Sequence, residues 1–311
     1  MSAVTTIAFL GPEGTFAHAA VRRLAGVGDA VLLPLSNVTL AIEAVHNGSA
    51  DAALVPMENS VEGAVPATLD ELANGAPLII AQETYLDVTF ELLARPGTSL
   101  DAVRSVATHT HAEAQVRRWL IAHLPDVQVA LVGSTAGAAQ AVAAGEYDAA
   151  VGAPVAAELY GLEALAHNIA DNAGAVTRFV LLTRPAPPPP RTGNDRTTLV
   201  AYLRDNHSGA LLEILEEFGT RGINLTRIES RPTKGRIGQY CFSIDCEGHL
   251  ADERVGDALA ALHRVCGDVR YLGSYPRGDG AQGPVPAGRT DTEFSEARDW
   301  LARLRESGVS Q

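Results

Sequence analysis

Gly209–Pro232 reads GALLEILEEFGTRGINLTRIESRP. Leu211, Leu212, Leu215 and Phe218 recur at helical spacing and predict one apolar helix face. Gly219 and Gly222 can take the positive φ that ends a helix tightly. Ile223, Leu225 and Ile228 then suit a strand that runs into the polar Glu229-Ser230-Arg231. Reading outward, strands are predicted at Thr197–Arg204, Ile223–Arg231, Gln239–Cys246 and Arg270–Tyr275. Helices are predicted at Ser208–Thr220 and Asp252–Val265, which gives a βαββαβ module. Upstream, the run Pro185-Ala186-Pro187-Pro188-Pro189-Pro190 can continue neither a helix nor a central strand and marks a boundary. Downstream, Arg277–Arg289 is rich in Gly and Pro. Thr290–Ser307 then reads as a terminal helix, with Thr290 and Glu293 as a capping box and Gly308 to close it. Its stripe of Phe294, Ala297, Trp300, Leu301 and Leu304 would pack on its own module or on another subunit.

The region before the proline run alternates strand and helix. Buried strands are expected at Ile7–Leu10, Val31–Leu35, Ala53–Pro56, Ser105–Thr108, Val127–Val132 and Ala149–Gly152, with helices such as Thr39–His46, Ala112–His123 and Ala136–Ala143 between them. This pattern predicts a mostly parallel α/β arrangement. An internal echo refines it. AIEAVHNGSADAAL from Ala41 matches AAQAVAAGEYDAAV from Ala138 at Ala41/Ala138, Ala44/Ala141, Val45/Val142, Gly48/Gly145, Asp51/Asp148, Ala52/Ala149 and Ala53/Ala150. Two such copies suggest two similar lobes, each with its own sheet, and a ligand cleft between them. Leu78–Leu93 and Val176–Leu182 would be the two crossings.

Bulk properties narrow the function. The chain has 311 residues, is 46% hydrophobic and 20% charged, and carries a formal net charge of −13. A negative surface argues against nonspecific nucleic-acid binding, whereas a local pocket can still attract an anion. Cys241, Cys246 and Cys266 lack metal-type spacing and read as free thiols of a reducing cytosol. With neither an export signal nor a long apolar run, a cytoplasmic location and no membrane partner are expected.

Four loops after predicted strands carry the polar residues. Gly11-Pro12-Glu13-Gly14-Thr15-Phe16-Ala17 opens a helix whose N-terminus suits an anion. Asn59 and Ser60, in Pro56–Gly63, can donate to a carboxylate or hydroxyl, or simply cap a loop. Gly133-Ser134-Thr135-Ala136-Gly137 offers hydroxyl and backbone donors, or an N-cap. Thr177-Arg178-Phe179 combines a hydroxyl, a fixed cation able to grip a carboxylate and an aromatic ring, or is simply an ordinary β-former, a surface ion-pair arginine and a core phenylalanine.

GPEGTFAHAA, PMENSVEG, STAGAAQAV and VTRF occur in that order and resemble the catalytic domain of prephenate dehydratases over residues 4–184. The GAL and ESRP signatures resemble the ACT domain attached to that family. The resemblance implies a bilobal catalytic domain like the periplasmic binding proteins (1–184), a Pro-rich linker (185–196), an ACT regulatory domain (197–277, ferredoxin-like) and a linker with C-terminal helix (278–311). It implies decarboxylative dehydration of prephenate to phenylpyruvate without metal or organic cofactor. By resemblance Thr177, Arg178 and Phe179 are catalytic: Thr177 addresses the leaving hydroxyl, Arg178 anchors a carboxylate and Phe179 walls the ring. Glu13, Thr15, Asn59, Ser60, Ser134 and Thr135 position substrate. Gly209, Ala210, Leu211, Asn224, Leu225, Glu229, Ser230 and Arg231 bind L-phenylalanine between paired modules of a homodimer or homotetramer. The chain departs from the family in having Ala175 where Asn is usual, and Thr108-His109-Thr110-His111 where Ser-His-Pro-Gln is common. Arogenate dehydratase and a non-catalytic amino-acid sensor are the alternatives. A chorismate mutase fusion is not expected, since no further helical domain precedes residue 4.

Overall fold

The computed structural model describes residues 5–24, 26, 28–233, 239–281, 283 and 285–307; Gly308, the expected helix stop, lies outside them. Internal packing divides the chain into two units. One holds the chain up to Thr68 together with Thr84–Leu182, and the other holds Leu69–Glu83 together with the chain from Thr183 onward.

The first unit runs β1 (Thr6–Leu10), α1 (Phe16–Val21), β2 (Val31–Leu35), α2 (Val38–His46), β3 (Ala52–Asn59), β4 (Gly63–Ala64), α3 (Pro66–Asn74), β5 (Ile79–Asp87) and β6 (Glu91–Ala94). It continues through β7 (Ser105–Thr108), α4 (Thr110–His123), β8 (Gln128–Leu131), α5 (Thr135–Ala143), β9 (Ala149–Gly152), α6 (Pro154–Tyr160), β10 (Glu163–Ala166) and β11 (Val176–Thr183). The unit boundary falls inside α3 and β5.

Two sheets form two lobes. The first has the order β2-β1-β3-β11-β5, with β4 beside β3, and the second has β10-β6-β9-β7-β8. Each lobe is therefore built alike. A strand (β1 or β7) lies between two parallel neighbours. Next comes a strand that the chain enters after leaving the other lobe: β11 in the first and β6 in the second. Exchange of one strand per lobe is the two-lobed α/β plan of periplasmic binding proteins.

The echo has a physical cause. Gly48 and Gly145 take φ of 80° and 87° in equivalent helix-to-strand turns, which glycine adopts without steric penalty. Asp51 Oδ2 accepts the N–H groups of Thr5 and Thr6 at 3.0 Å each. Asp148 Oδ2 accepts those of Arg104 and Ser105 at 3.0 and 2.9 Å. In each lobe the aspartate before one strand pins the start of its parallel neighbour.

Two expectations need correction. Val31–Leu35 and Val127–Val132 were expected to be buried, but β2 and β8 are edge strands; Val31 is 64% and Leu131 58% exposed. Composition sets strand propensity, whereas position in the sheet sets burial. The second crossing is also not Val176–Leu182, which lies wholly in the first sheet as β11. The chain changes lobes between β10 and β11, where Ile169 N–H donates to Phe90 O and Val88 N–H to Ala175 O. The first crossing does fall within Leu78–Leu93, between β5 and β6.

The second unit adds β12 (Asp195–Tyr202), α7 (Ala210–Gly219), β13 (Leu225–Pro232), β14 (Tyr240–Glu247), α8 (Glu253–Val265), β15 (Asp268–Pro276) and α9 (Asp291–Ser307). Its sheet has the order β13-β14-β12-β15 and is antiparallel throughout, which makes βαββαβ a ferredoxin-like module. Leu199, Ala201, Ile214, Phe218, Phe242, Ile244, Val255 and Leu262 form its core. The buried face of α7 is Ala210, Ile214 and Phe218, not the expected leucine stripe; Leu211 and Leu212 are 37% and 57% exposed. α7 is apolar on two sides, and the sheet claims the side in register with Phe218. On α9 the capping box forms, since Glu293 N–H donates to Thr290 Oγ1 at 3.3 Å and Thr290 N–H to Glu293 Oε2 at 3.0 Å. Trp300 and Leu301 on its stripe stay exposed. The three cysteines are buried free thiols. Burial pushes the Cys246 thiol up to about 12 and that of Cys266 to about 11, so neither is a ready nucleophile.

Candidate active site

The junction of β3 and β11 gathers four polar side chains from distant sequence. Successive strand residues point to opposite faces. On one face Asn59 Nδ2 donates to Thr177 Oγ1 at 2.8 Å. On the other, Arg178 Nη1 donates to Glu58 Oε1 at 3.1 Å. Asn59 is itself held, because its Oδ1 accepts the N–H groups of Val61 and Glu62 at 2.8 and 3.1 Å. Ser60 closes the junction: its N–H donates to Val176 O, and its Oγ accepts Val176 N–H, both at 2.9 Å. Thr177 is 8% exposed and Arg178 1%.

Proton bookkeeping separates the hydroxyls. Thr177, Ser60 and Ser134 each accept a hydrogen bond within the protein, Ser134 from Gly137 N–H at 2.9 Å as N-cap of α5. Each therefore keeps its own hydrogen to donate. Thr15 does not, since its Oγ1 donates to Leu10 O and accepts His18 N–H. It is the N-cap of α1 and is committed to that helix. Thr135 opens α5 and is buried. Glu13 is exposed at its side chain, and its carbonyl accepts Tyr160 O–H of the second lobe at 2.8 Å.

Two members of the expected catalytic triplet are placed differently from the reading above. Phe179 is 3% exposed in the first-lobe core with Ile7, Phe9, Leu86 and Leu181, so it seats β11. Arg178 faces away from Thr177 and is engaged by Glu58. Glu58 itself escaped sequence reasoning, although it stands in the quoted PMENSVEG; only the pairing of β3 with β11 shows it opposite an arginine.

The lobes meet tightly in the loop between β1 and α1. A Cβ on Gly14, whose φ is +90°, would lie 2.9 Å from the Tyr160 ring and 3.3 Å from Ala136 Cβ. Glycine is required there both by conformation and by the approach of the second lobe. Buried His18 accepts Gly14 N–H at Nδ1 and stacks on Phe9. Loss of hydration holds its pKa below the usual imidazole value, with Arg22 adding to the depression and Glu13 opposing it. His109 is the N-cap of α4. Burial and its neighbour His111 lower its pKa, against the pull of Glu62. Among the described residues, no three His, Cys, Asp or Glu side chains converge as a metal site, and no helix is long and apolar enough to cross a membrane.

In the ferredoxin-like unit, Gly209 is the N-cap of α7 with φ of 96°, and no side chain caps that helix. Ala210 is buried and Leu211 exposed. Leu225, Glu229 and Arg231 are half-buried along β13, while Asn224 and Ser230 are exposed. Arg231 grips Asp70 through Nη2 and Nε at 2.7 and 3.2 Å.

A two-lobed α/β enzyme with a part-buried threonine–asparagine pair, followed by a ferredoxin-like module, is the class that fold and site define. The family model for prephenate dehydratase matches residues 7–187, and that for the ACT domain matches residues 197–264. The chain belongs to the prephenate dehydratase family and carries an ACT domain. It is 50% identical to the prephenate dehydratase of Mycobacterium marinum over 309 residues, 96% of each chain. A solved prephenate dehydratase of Arthrobacter aurescens in complex with L-Phe superposes with a TM-score of 0.92 at 47% identity, covering 97% of this chain and 100% of that one. GqqA, described as a novel type of quorum-quenching acylase, superposes with a TM-score of 0.79 at 35% identity, covering 90% of this chain and 98% of that one. Acyl transfer needs a nucleophile activated by a base. Here none of the hydroxyls of Thr15, Ser60, Ser134, Thr135 or Thr177 is hydrogen-bonded to a histidine ring.

Proposed function

We propose that the chain converts prephenate to phenylpyruvate and that L-phenylalanine, bound at the ACT domain, restrains it. The observation that carries the catalytic reading is the Asn59–Thr177 hydrogen bond. Thr177 Oγ1 accepts from the amide, so its own hydrogen is turned away from Asn59 and is free to donate to a leaving hydroxyl. In the reaction the bond from the ring to its carboxylate breaks and carbon dioxide departs. The released electron pair enters the ring, and the C–O bond opposite breaks. The hydroxyl leaves as water once protonated, and the ring becomes aromatic. A threonine is a weak acid at neutral pH, so Thr177 acts as a polarised donor within a network and not as a free acid. Ser60 and Ser134 retain hydrogens for substrate oxygens. Arg178 supplies a buried positive charge, partly balanced by Glu58, that favours a dianionic ligand.

For the effector, the uncapped N-terminus of α7 offers backbone donors to a carboxylate. Gly209 has open space where a Cβ would stand. Exposed Leu211, Leu212, Ile228 and Tyr240 suit an apolar side chain and a second copy of the module in a homodimer or homotetramer. Inhibition requires tighter binding to the less active state.

The test is conversion of prephenate by purified protein with and without L-phenylalanine, with arogenate as the competing substrate. Suppressible turnover of prephenate supports both assignments, and unsuppressed turnover removes the effector. A higher kcat/KM for arogenate changes the substrate. No turnover of either leaves an amino-acid sensor.

A further inference from the structure

Glu62 lies just beyond Asn59 in the turn that joins β3 to β4, on the first lobe. Its carboxylate reaches the second lobe at two points. Oε2 meets His111 Nδ1 at 2.7 Å, and Oε1 accepts Gln115 Nε2 at 2.9 Å. His111 and Gln115 stand one helical turn apart on α4, so both face one carboxylate. His109 is a further titratable neighbour, its ring stacking on His111 with centroids 5.2 Å apart, and Asp171 N–H donates to Gln115 O at 2.7 Å. The same turn ends on the catalytic junction, because Glu62 N–H donates to Asn59 Oδ1 while Asn59 Nδ2 holds Thr177 Oγ1. A continuous set of hydrogen bonds thus runs from α4 of the second lobe to the hydroxyl of Thr177 in the first.

We propose that Glu62 and His111 are positioning residues, a clasp across the cleft that couples closure of the two lobes to the orientation of Thr177. With the clasp made, the turn at 60–63 is fixed, Asn59 is held by its two backbone donors, and the Thr177 hydrogen points to substrate. With the clasp broken, the turn and the Asn59 amide gain freedom, and the hydroxyl loses its fixed acceptor role. The pair is solvent-accessible, with the His111 side chain 69% and that of Glu62 35% exposed, so it adds little to folding stability. Its effect falls on geometry, where small displacements of a reacting group are costly.

The proposal rests on the reaction proposed above, so wild-type turnover is measured first. The test compares Glu62→Ala, His111→Ala and the double variant. Glu62→Ala should lower kcat about tenfold with little change in Tm, as expected for lost orientation. His111→Ala should lower it less, because Gln115 remains. The double variant should match Glu62→Ala, since the two act as one unit. A kcat within about twofold of wild type in Glu62→Ala, or effects that multiply in the double variant, overturns the proposal. A readout independent of turnover is the distance between spin labels on the exposed edge strands, at positions 31 and 131. Glu62→Ala should lengthen or broaden it; an unchanged distribution sinks the clasp even if the substrate proves to be another.

Discussion

The fourth strands of the two lobes, β11 and β6, occupy equivalent places and carry different burdens. Both lie beside the strand that follows the echoed helix, β3 or β9, and both are reached by a crossing from the other lobe. β6 is Glu91-Leu92-Leu93-Ala94; its last three residues are fully buried, and Glu91 at its mouth pairs with His167 at 2.7 Å. β11 places Thr177 and Arg178 at the corresponding mouth, with partners from β3 at both faces. The fold requires only that the strand be buried and paired. Polar groups in the first lobe are therefore not demanded by the architecture, and a buried arginine costs stability unless paired. Such local departures from an apolar pattern mark function.

The contrast is broken most sharply by exchanging the two strands' properties. Thr177→Val keeps shape and removes the hydroxyl. It should lower kcat by roughly 10²–10⁴, with KM and Tm little changed. Equal turnover in that variant would remove Thr177 from the mechanism. Leu93→Ala in the second lobe should do the reverse. It removes a fully buried side chain packed against Ala107, Ala138 and Val142 and should cost about 2–5 kcal/mol in urea unfolding. Turnover per folded molecule should persist. A strong loss of kcat in folded Leu93→Ala would mean that the lobes do not divide chemistry from support as claimed.

The same contrast explains what was legible in the sequence. Alternating segments gave the α/β unit and the βαββαβ module, because strand and helix periodicities are local. The echo announced two lobes because Gly48/Gly145 and Asp51/Asp148 serve one local device twice. Thr177, Asn59 and Ser60 stood out as polar residues after strands. What stayed hidden depends on pairing between distant strands. Glu58 meets Arg178 only through the β3–β11 junction, and Leu211 is exposed only because Ala210 and Ile214 take the core. Thr15 was expected beside the substrate, and its two local hydrogen bonds commit it to capping α1.

The shared device supplies a smaller test. Asp51→Asn and Asp148→Asn each weaken a carboxylate that accepts two backbone N–H groups at a strand start. Each should cost roughly 1–2 kcal/mol, the scale of hydrogen bonds to a charged group discounted for partial exposure. Similar losses in the two lobes would confirm that the echo is structural. The Asp148 carboxyl is held below the ordinary range chiefly by the Arg104 N–H, against its own partial burial. Its contribution is present above about pH 3.9 and is lost as pH falls further. An unequal pair, with one variant neutral, would show that the resemblance of the two segments is compositional only.

The smallest expected effect sits where the lobes differ after their first strands. α1 has the N-cap Thr15 with His18 three residues on, and α4 has the N-cap His109 with Ala112 at the same place. His18 is buried against Phe9 and loses hydration, so its folded pKa lies below the unfolded value of about 6.5. Below that pH the unfolded chain binds a proton that the folded chain takes up less readily. Unfolding is then coupled to proton uptake, and stability falls as the solution is acidified. Above it both states are neutral there and the dependence vanishes. Urea unfolding from pH 8 to 5.5 should show this decline, and His18→Gln should flatten part of it, since an amide oxygen can still accept Gly14 N–H. His109, whose pKa is lowered for the same leading reason, adds to the decline, while His207, raised by its hydrogen bond to Glu213, opposes it. An undiminished slope in His18→Gln would place the acid sensitivity outside this imidazole, and the first lobe's buried ring would then be a packing element with no titration of its own in this range.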